Sequence, residues 1–337
     1  MAINGKDAED NRPLRLLIFG ASTTAYRGDL EIASFQASEK LQARGIEHVF
    51  FNSGVGGNTT AMARERFARD VLGLHPDIVF ILIGTNDSMI DVPQGRTTPR
   101  VSEGDYAENL RFFARELKQR NITVAFMTIQ PMYMTDELRA CYGKPPYTDK
   151  GFNFMVDKYV AVMNKAAEEE GIPCLDINKK FWQAAGNEYE KLPAFYEDGM
   201  HPNRQGQAMI ADEMLGLLDK NPALFKKRPL YASQARHLKV DQPGARGTYP
   251  EGNLPFRFST PQPPGQVQYR LKPYFNQERP RDFGEWLDVK SVFNEGIVKG
   301  STGKICANKY SFQFRTLDKQ GKVSGLGGVD HVTITGK

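Results

Sequence analysis

The stretch Leu14–Thr24, LRLLIFGASTT, decides the fold, because its pattern recurs along the first two thirds of the chain. An apolar run ends at Gly20, and a small polar cluster containing Ser22 follows before an amphipathic segment begins. This order predicts a strand, a tight turn and a helix. Ser22 would then lie at the carboxyl end of a strand, where open parallel α/β sheets bind ligands and a hydroxyl can act as a nucleophile. Taken alone, the stretch favours the alternative that Ser22 or Thr23 is an ordinary helix N-cap.

Four more strand-like runs follow, and segments with helical spacing lie between them. The runs are His48–Asn52, Ile78–Ile83, Thr123–Thr128 and Ile172–Ile177. The third strand, IVFILI at 78–83, is apolar throughout, which is typical of strands buried on both faces of a parallel sheet. The alternation ends with the helix Gln205–Leu218. We therefore expect an α/β domain with a parallel five-stranded sheet over residues 1–225.

The last third of the chain has a different pattern. Its prolines are concentrated between residues 220 and 265, which predicts a linker that we place at 226–255. Stretches of period-2 alternation separated by Gly-rich turns then predict an antiparallel β-sandwich over 256–337. This region, especially YSFQFRTLDKQGKVSG at 310–325, resembles the immunoglobulin-like or fibronectin-like modules appended to bacterial extracellular enzymes. The resemblance implies an accessory domain.

Composition and charge narrow the class of function. The chain is 40% hydrophobic and 25% charged, as in soluble globular proteins, and no run of about 20 apolar residues predicts a membrane span. The net charge of +4 combines an acidic part before Lys226 with a basic part from there onward. The basic residues are scattered without a nucleic-acid motif, so we expect no nucleic-acid partner, while an acidic polysaccharide stays open.

Polar turns follow several of the predicted strands and together supply the groups that acyl transfer by a serine needs. Asp198 and His201 stand three residues apart in DGMHPN, where the carboxylate can orient the imidazole as a base for Ser22. The backbone N–H groups of Ser22 and Gly57, in NSGVGGNTT, and the amide of Asn86, in GTND, would form the oxyanion hole. Because all these turns are expected at one edge of the sheet, we favour the interpretation of Ser22 as a nucleophile over its interpretation as a helix N-cap.

Four sequence blocks carry a family resemblance. GAS at 20–22, NSGVGGNTT at 52–60, GTND at 84–87 and DGMHPN at 198–203 resemble, in order and spacing, the SGNH hydrolases, also called GDSL esterases. The family implies a flavodoxin-like three-layer sandwich and hydrolysis of esters without a metal or other cofactor, with the five residues above in the roles just given. Ala21 departs from the family's GDS, a position that is not a triad member, so we interpret the change as tuning either the turn or the specificity.

No cofactor or metal is expected from the residues themselves. The three cysteines, Cys141, Cys174 and Cys306, are too far apart in sequence for a CxxC motif, and no His-x-x-His spacing occurs. The glycines at 54–57 match neither GxGxxG nor GxxxxGK[ST], so phosphate binding is not indicated.

An aromatic insertion from Gln130 to about Phe154 interrupts the regular rhythm of strands and helices. Long ordered loops in compact domains are often lids or binding loops, so Tyr133, Tyr142 and Tyr147 are candidates for binding the substrate. The alternative, that these rings only anchor the loop to the core, is equally consistent with the sequence.

The leading hypothesis is a serine esterase that removes O-acetyl groups from a polysaccharide or oligosaccharide. The alternatives are a lipid-directed esterase, lysophospholipase or thioesterase on the same triad, and a non-catalytic carbohydrate-binding protein. The amino terminus is polar and shows no signal peptide. We expect a secreted or periplasmic bacterial protein whose signal peptide is absent from this sequence, with a cytoplasmic location as the alternative; the oligomeric state is open.

Overall fold

The computed structural model describes residues 13–27, 30–225, 236–273 and 284–336. The chain divides into two compact units. One contains the described residues from Arg15 to Phe225, and the other contains the described residues after 235.

A parallel five-stranded sheet forms the centre of the first unit, as predicted. Its strands are β1 (Leu14–Gly20), β2 (His48–Gly54), β3 (Ile78–Leu82), β4 (Thr123–Met127) and β5 (Cys174–Leu175). The order across the sheet is β2-β1-β3-β4-β5. Strands β1 and β3 are buried along their whole length, as their continuous apolar runs predict. Strand β5 is shorter than the predicted 172–177, because the side chain of Asp176 caps a helix that already begins at Ile177.

Helices cover both faces of this sheet and complete the three layers. They are α1 (Ala33–Ala43), α2 (Thr60–Asp70), α3 (Thr85–Ser88), α4 (Glu103–Lys118), α5 (Asp136–Tyr142), α6 (Tyr147–Lys150), α7 (Phe154–Glu170), α8 (Ile177–Ala184) and α9 (Arg204–Lys220). Helix α9 packs against α1 and α8, while α4 packs against α2 and α7. In the part of the chain that the structure describes, no helix combines the length and apolar character needed to cross a membrane.

In its described residues, the second unit is built from strands of 2 to 13 residues in two sheets. They are β6 (Arg236–His237), β7 (Lys239–Gln242), β8 (Thr248–Pro250), β9 (Gly252–Ser259), β10 (Gln266–Pro273), β11 (Leu287–Val289), β12 (Ser291–Asn294), β13 (Ile297–Ile305), β14 (Asn308–Leu317) and β15 (Val323–Thr335). Aromatic residues from both sheets, including Phe258 and Phe314, share one buried core. The pairing is antiparallel, as predicted, except that β6 and β8 each pair parallel with β15.

The structure differs from the predicted linker at 226–255. Residues 226–235 lie outside the described residues, but 236–255 contain β6, β7, β8 and the start of β9. The prolines predicted a linker, but they occupy positions where a β-strand can accommodate proline. Pro250 ends β8, and Pro255 lies where the pairing of β9 with β13 shifts register. A missing N–H costs least at such irregularities. The other domain boundaries stay a prediction.

Candidate active site

Ser22 lies in the turn directly after β1. The carbonyl of Ala21 accepts bonds from the N–H groups of Thr24 and Ala25, which close the turn. A Cβ on Gly20 would lie 2.2 Å from the carbonyl oxygen of Leu82, so only glycine lets β1 end this close to β3. Helix α1 begins later, with Ile32 as its N-cap. Ser22 therefore does not cap the following helix, which removes the alternative left open by the sequence.

Ser22, His201 and Asp198 form a hydrogen-bonded chain. The hydroxyl of Ser22 lies 2.9 Å from Nε2 of His201, and Nδ1 of His201 lies 2.6 Å from Oδ2 of Asp198. Donation from Nδ1–H to the carboxylate leaves Nε2 as the acceptor for the serine proton. Burial raises the pKa of Asp198, but the hydrogen bond and charge of His201 outweigh it and hold that pKa well below its usual range. Asp198 is thus an ionised partner for the imidazole.

Backbone contacts fix the loop that carries Asp198 and His201. Oδ1 of Asp198 accepts the N–H groups of Met200, at 3.0 Å, and of His201, at 2.8 Å. Gly199 has a φ of 82°, and a Cβ there would lie 2.2 Å from the carbonyl oxygen of Tyr133. Its own carbonyl accepts the N–H of Tyr133 at 2.7 Å. The loop that carries Asp198 and His201 therefore packs directly against the start of the aromatic insertion.

One glutamine joins the serine turn to this loop. Nε2 of Gln130 donates to Oγ1 of Thr23 at 3.0 Å and to the carbonyl of Met200 at 3.1 Å. Gln130 is fully buried. It was not identified from the sequence, because nothing local marks a glutamine as a bridge between residues 23 and 200.

The predicted oxyanion donors Gly57 and Asn86 belong to neighbouring turns. Gly57 has a φ of 80°, which favours glycine. The amide of Asn86 donates from Nδ2 to the carbonyl of Asn58, the residue after Gly57, at 2.9 Å. The N–H of Val55 donates to the carbonyl of Gly20 at 3.1 Å, which ties this loop to the end of β1. The structure thus gathers these donors at the edge of the sheet where the turn of Ser22 begins.

Two arginines that were not identified from the sequence contact the turns of Gly57 and Asn86, which we call the oxyanion side after the role predicted for these two residues. The buried guanidinium of Arg66 donates to the carbonyl of Gly20 (2.9 Å) and to Oδ1 of Asn58 (2.7 Å). Arg100 donates from Nη1 to Oδ1 of Asn86 at 3.2 Å, while its Nη2 and Nε grip Asp91 at 2.6 and 2.8 Å. Because Oδ1 of Asn86 accepts this bond, the NH2 group of Asn86 faces away from the guanidinium of Arg100.

Asp87 is buried behind Asn86. Its carboxylate accepts the N–H of Thr60 at 2.9 Å and also the hydroxyl of Thr60. Burial, only partly opposed by these hydrogen bonds, raises the pKa of Asp87 to about 6. The oxyanion side therefore contains a carboxyl group that is costly to ionise.

The three candidate tyrosines occupy different environments. Tyr147 is 3% exposed, and its hydroxyl accepts the N–H of Ile90 at 2.7 Å, which fits the alternative that it anchors the insertion. Tyr142 is half-buried beside Arg100; burial raises its pKa and the guanidinium opposes that rise. Tyr133 is also half-buried and packs on Tyr189, with ring centroids 5.0 Å apart.

A second Ser–His pair offers a contrast. Oγ of Ser38 lies 2.7 Å from Nε2 of His48, but Nδ1 of His48 faces the carbonyl of Ile46 instead of a carboxylate. Burial lowers the pKa of His48, which disfavours its protonation. This pair lacks the anion that a general base needs to stabilise its charged form. Over the described ranges, no group of three or more His, Cys, Asp or Glu residues could hold a metal ion.

The match to known sequences agrees with this geometry. The model of the GDSL-like lipase/acylhydrolase family matches residues 18–209, more than half of the chain, and the chain belongs to this family. It is 43% identical over 81 residues to the uncharacterized lipoprotein YqeF of Bacillus subtilis, a match that covers 24% of this chain and 32% of that protein. It is 26% identical over 166 residues to an acetylxylan esterase of Geobacillus stearothermophilus, covering 49% of this chain and 69% of that enzyme.

Solved structures show the same fold at low sequence identity. The lipase/acylhydrolase from Enterococcus faecalis superposes with a TM-score of 0.50 and 21% identity, over 65% of this chain and all of that one. The acetyl xylan esterase AlAXEase gives a TM-score of 0.50 and 20% identity, over 61% of this chain and all of that one.

Proposed function

We propose that this protein is a serine esterase in which Ser22 is the nucleophile. The observation that carries the proposal is the hydrogen-bonded chain from the hydroxyl of Ser22 through His201 to Asp198. A serine, an imidazole and an ionised carboxylate in this order are the arrangement that activates a hydroxyl for acyl transfer.

The reaction proceeds through an acyl-enzyme. Nε2 of His201 takes the proton of Ser22 as Oγ attacks the ester carbonyl, and Asp198 stabilises the imidazolium that forms. The N–H groups of Ser22 and Gly57 and the amide of Asn86 stabilise the negative oxygen. His201 then protonates the departing alcohol. Water attacks the acyl group while His201 takes a proton from it, and the acid leaves as Ser22 regains its proton.

The proposed substrate is an O-acetyl group on a polysaccharide or oligosaccharide. The acetylxylan esterase relative supports this substrate class, and so do the half-exposed aromatic rings beside the triad loop. We also propose that the protein is exported, which the lipoprotein relative supports. The C-terminal unit would serve as an accessory module of the immunoglobulin-like or fibronectin-like kind.

Replacement of the nucleophile tests the proposal. Ser22→Ala is expected to abolish turnover of p-nitrophenyl acetate and acetate release from acetylated xylan. Ser38→Ala is the matched control, because it removes the hydroxyl of the other Ser–His pair and should leave the rate unchanged. Full activity in Ser22→Ala would refute the assignment, and a preference for octanoyl over acetyl esters would favour a lipid-directed esterase.

A further inference from the structure

A cavity of about 540 Å³ lies among the insertion, α7, α8 and the segment after α8. Trp182 and Tyr189 line it with half-exposed rings whose centroids are 6.4 Å apart. Phe154 adds a third partly exposed ring, and Lys150 lies 5.5 Å from its centroid. We call this space the aromatic cavity. No role in the proposed chemistry uses it.

The aromatic cavity is coupled to the triad loop through Tyr133. The ring of Tyr133 packs on Tyr189 at 5.0 Å, and its N–H donates to the carbonyl of Gly199, between Asp198 and His201. The hydroxyl of Tyr189 accepts the N–H of Met134 at 2.7 Å, which fixes the orientation of its ring. The ring of Tyr189 is therefore held against the segment Tyr133–Met134, which directly contacts the loop carrying the base.

The lining suits a sugar. Ligand pockets of roughly 300–1,000 Å³ combine aromatic walls with a few polar groups that orient the ligand. The rings of Trp182 and Tyr189 offer flat apolar faces for the C–H face of a pyranose. Arg139, Lys150 and Asp157, which also line the cavity, can bond its hydroxyls.

We propose that the aromatic cavity binds a pyranose unit of the glycan that carries the ester, so that the substrate is an oligomer and not a single acetylated sugar. The inference rests on the proposed function for its ester. The binding of the sugar itself needs neither Ser22 nor turnover, so it can be tested separately.

Tryptophan fluorescence gives a direct test. The chain has two tryptophans, so Trp286→Phe leaves Trp182 as the sole indole. We expect a saturable change in its emission with at least one of xylotetraose, cellotetraose and chitotetraose, and loss of that change when Tyr189→Ala is added. No saturable change with any of the three would overturn the proposal.

Kinetics give the second test, in the otherwise native chain. Trp182→Ala is expected to raise KM for acetylated xylo-oligosaccharides about fivefold or more, because truncation of a residue that anchors a ligand costs at least this factor in binding. The same variant should leave kcat/KM for p-nitrophenyl acetate unchanged, and Trp182→Phe should restore most of the loss. Equal losses on both substrates, or none on either, would overturn the proposal. If the parent protein cleaves no glycan ester at all, the proposed function fails, while the fluorescence titration still decides whether the cavity binds sugar.

Discussion

The two sides of the active site are built differently. On the base side, the side chains of Asp198 and His201 are 48% and 24% exposed, and their loop is held mainly by backbone hydrogen bonds. On the oxyanion side, Asn86 is 9% exposed, and Asp87 and Thr60 behind it are fully buried.

This difference follows from what each side does in the proposed reaction. A base that exchanges protons with the alcohol and with water must stay accessible to both. Donors that stabilise an oxyanion are most effective when they are fixed in advance and shielded from water. Substitutions on the base side should therefore change the rate with little loss of stability, whereas those on the oxyanion side should affect both.

The largest effect is expected on the base side. Asp198→Asn should lower kcat by about 10⁴. The amide oxygen would stay with the two backbone N–H groups that Oδ1 accepts now, so its NH2 group would face Nδ1 of His201, select the wrong tautomer and leave the imidazolium without a carboxylate. Since the carboxylate is half-exposed, thermal unfolding should change little. Asp219→Asn is the control and should keep the parent rate, because this carboxylate is exposed to a similar degree and is paired with Arg44 instead of a triad residue. A large drop in melting temperature with Asp198→Asn would break the contrast between the two sides.

Asn86→Ala should lower kcat by about 10²–10³ with a smaller change in KM, as expected for loss of one oxyanion donor. Unlike Asp198→Asn, it should also destabilise the fold, because the carbonyl of Asn58 loses its donor. Asn178→Ala is matched for burial and for a bond to a backbone carbonyl, and should cost stability alone. A change confined to KM would instead make Asn86 a substrate-binding residue.

Asp87, on the oxyanion side, should make the free energy of unfolding depend on pH. Its pKa is raised from 3.8 to about 6, so the folded state holds the proton more tightly than the unfolded chain does. The free energy of unfolding should therefore fall by about 3 kcal/mol as pH rises through this range. Urea unfolding at several pH values measures this slope. Asp87→Asn should flatten it, whereas Asp105→Asn, an exposed carboxylate, should not.

Arg100→Ala is expected to have the smallest effect, about a tenfold loss in kcat, because it removes one charged hydrogen bond that orients Asn86. The loss should vanish when Arg100→Ala is added to Asn86→Ala, as required if the arginine acts through the amide. Arg96→Ala, on the same loop, is the control. Additive losses in the double variant would give Arg100 a separate role.

The turns that carry Ser22, Gly57, Asn86 and His201 could be predicted from the sequence. Each follows an apolar run or precedes a helix, and the shared edge of a parallel sheet then brings them together. The predicted sheet is confirmed for the same reason, since strands such as IVFILI are recognisable without any partner.

Other features depend on contacts that no local pattern encodes. Arg66 and Arg100 look like ordinary surface cations in the sequence. They join the site through the carbonyl of Gly20, 46 residues from Arg66, and the side-chain amide of Asn86, 14 residues from Arg100. Trp182 and Tyr189 lie outside the insertion that the sequence marks as aromatic. Tyr189 contacts Tyr133, and Trp182 contacts Tyr189, only in the folded structure. Tyr147 and Tyr133 are both tyrosines of the insertion, yet Tyr147 is buried and Tyr133 is half-buried.

The bridge formed by Gln130 has a consequence for folding. Ser22 and His201 are 179 residues apart in sequence, and Gln130 bonds to the neighbours of both. Contacts of such long range are slow to form, since most of the chain must be ordered before they close. A nascent or truncated chain that ends before residue 201 has a nucleophile without a base. The recovery of esterase activity during refolding should therefore report the closing of this last contact, later than signals from helices α4 and α7.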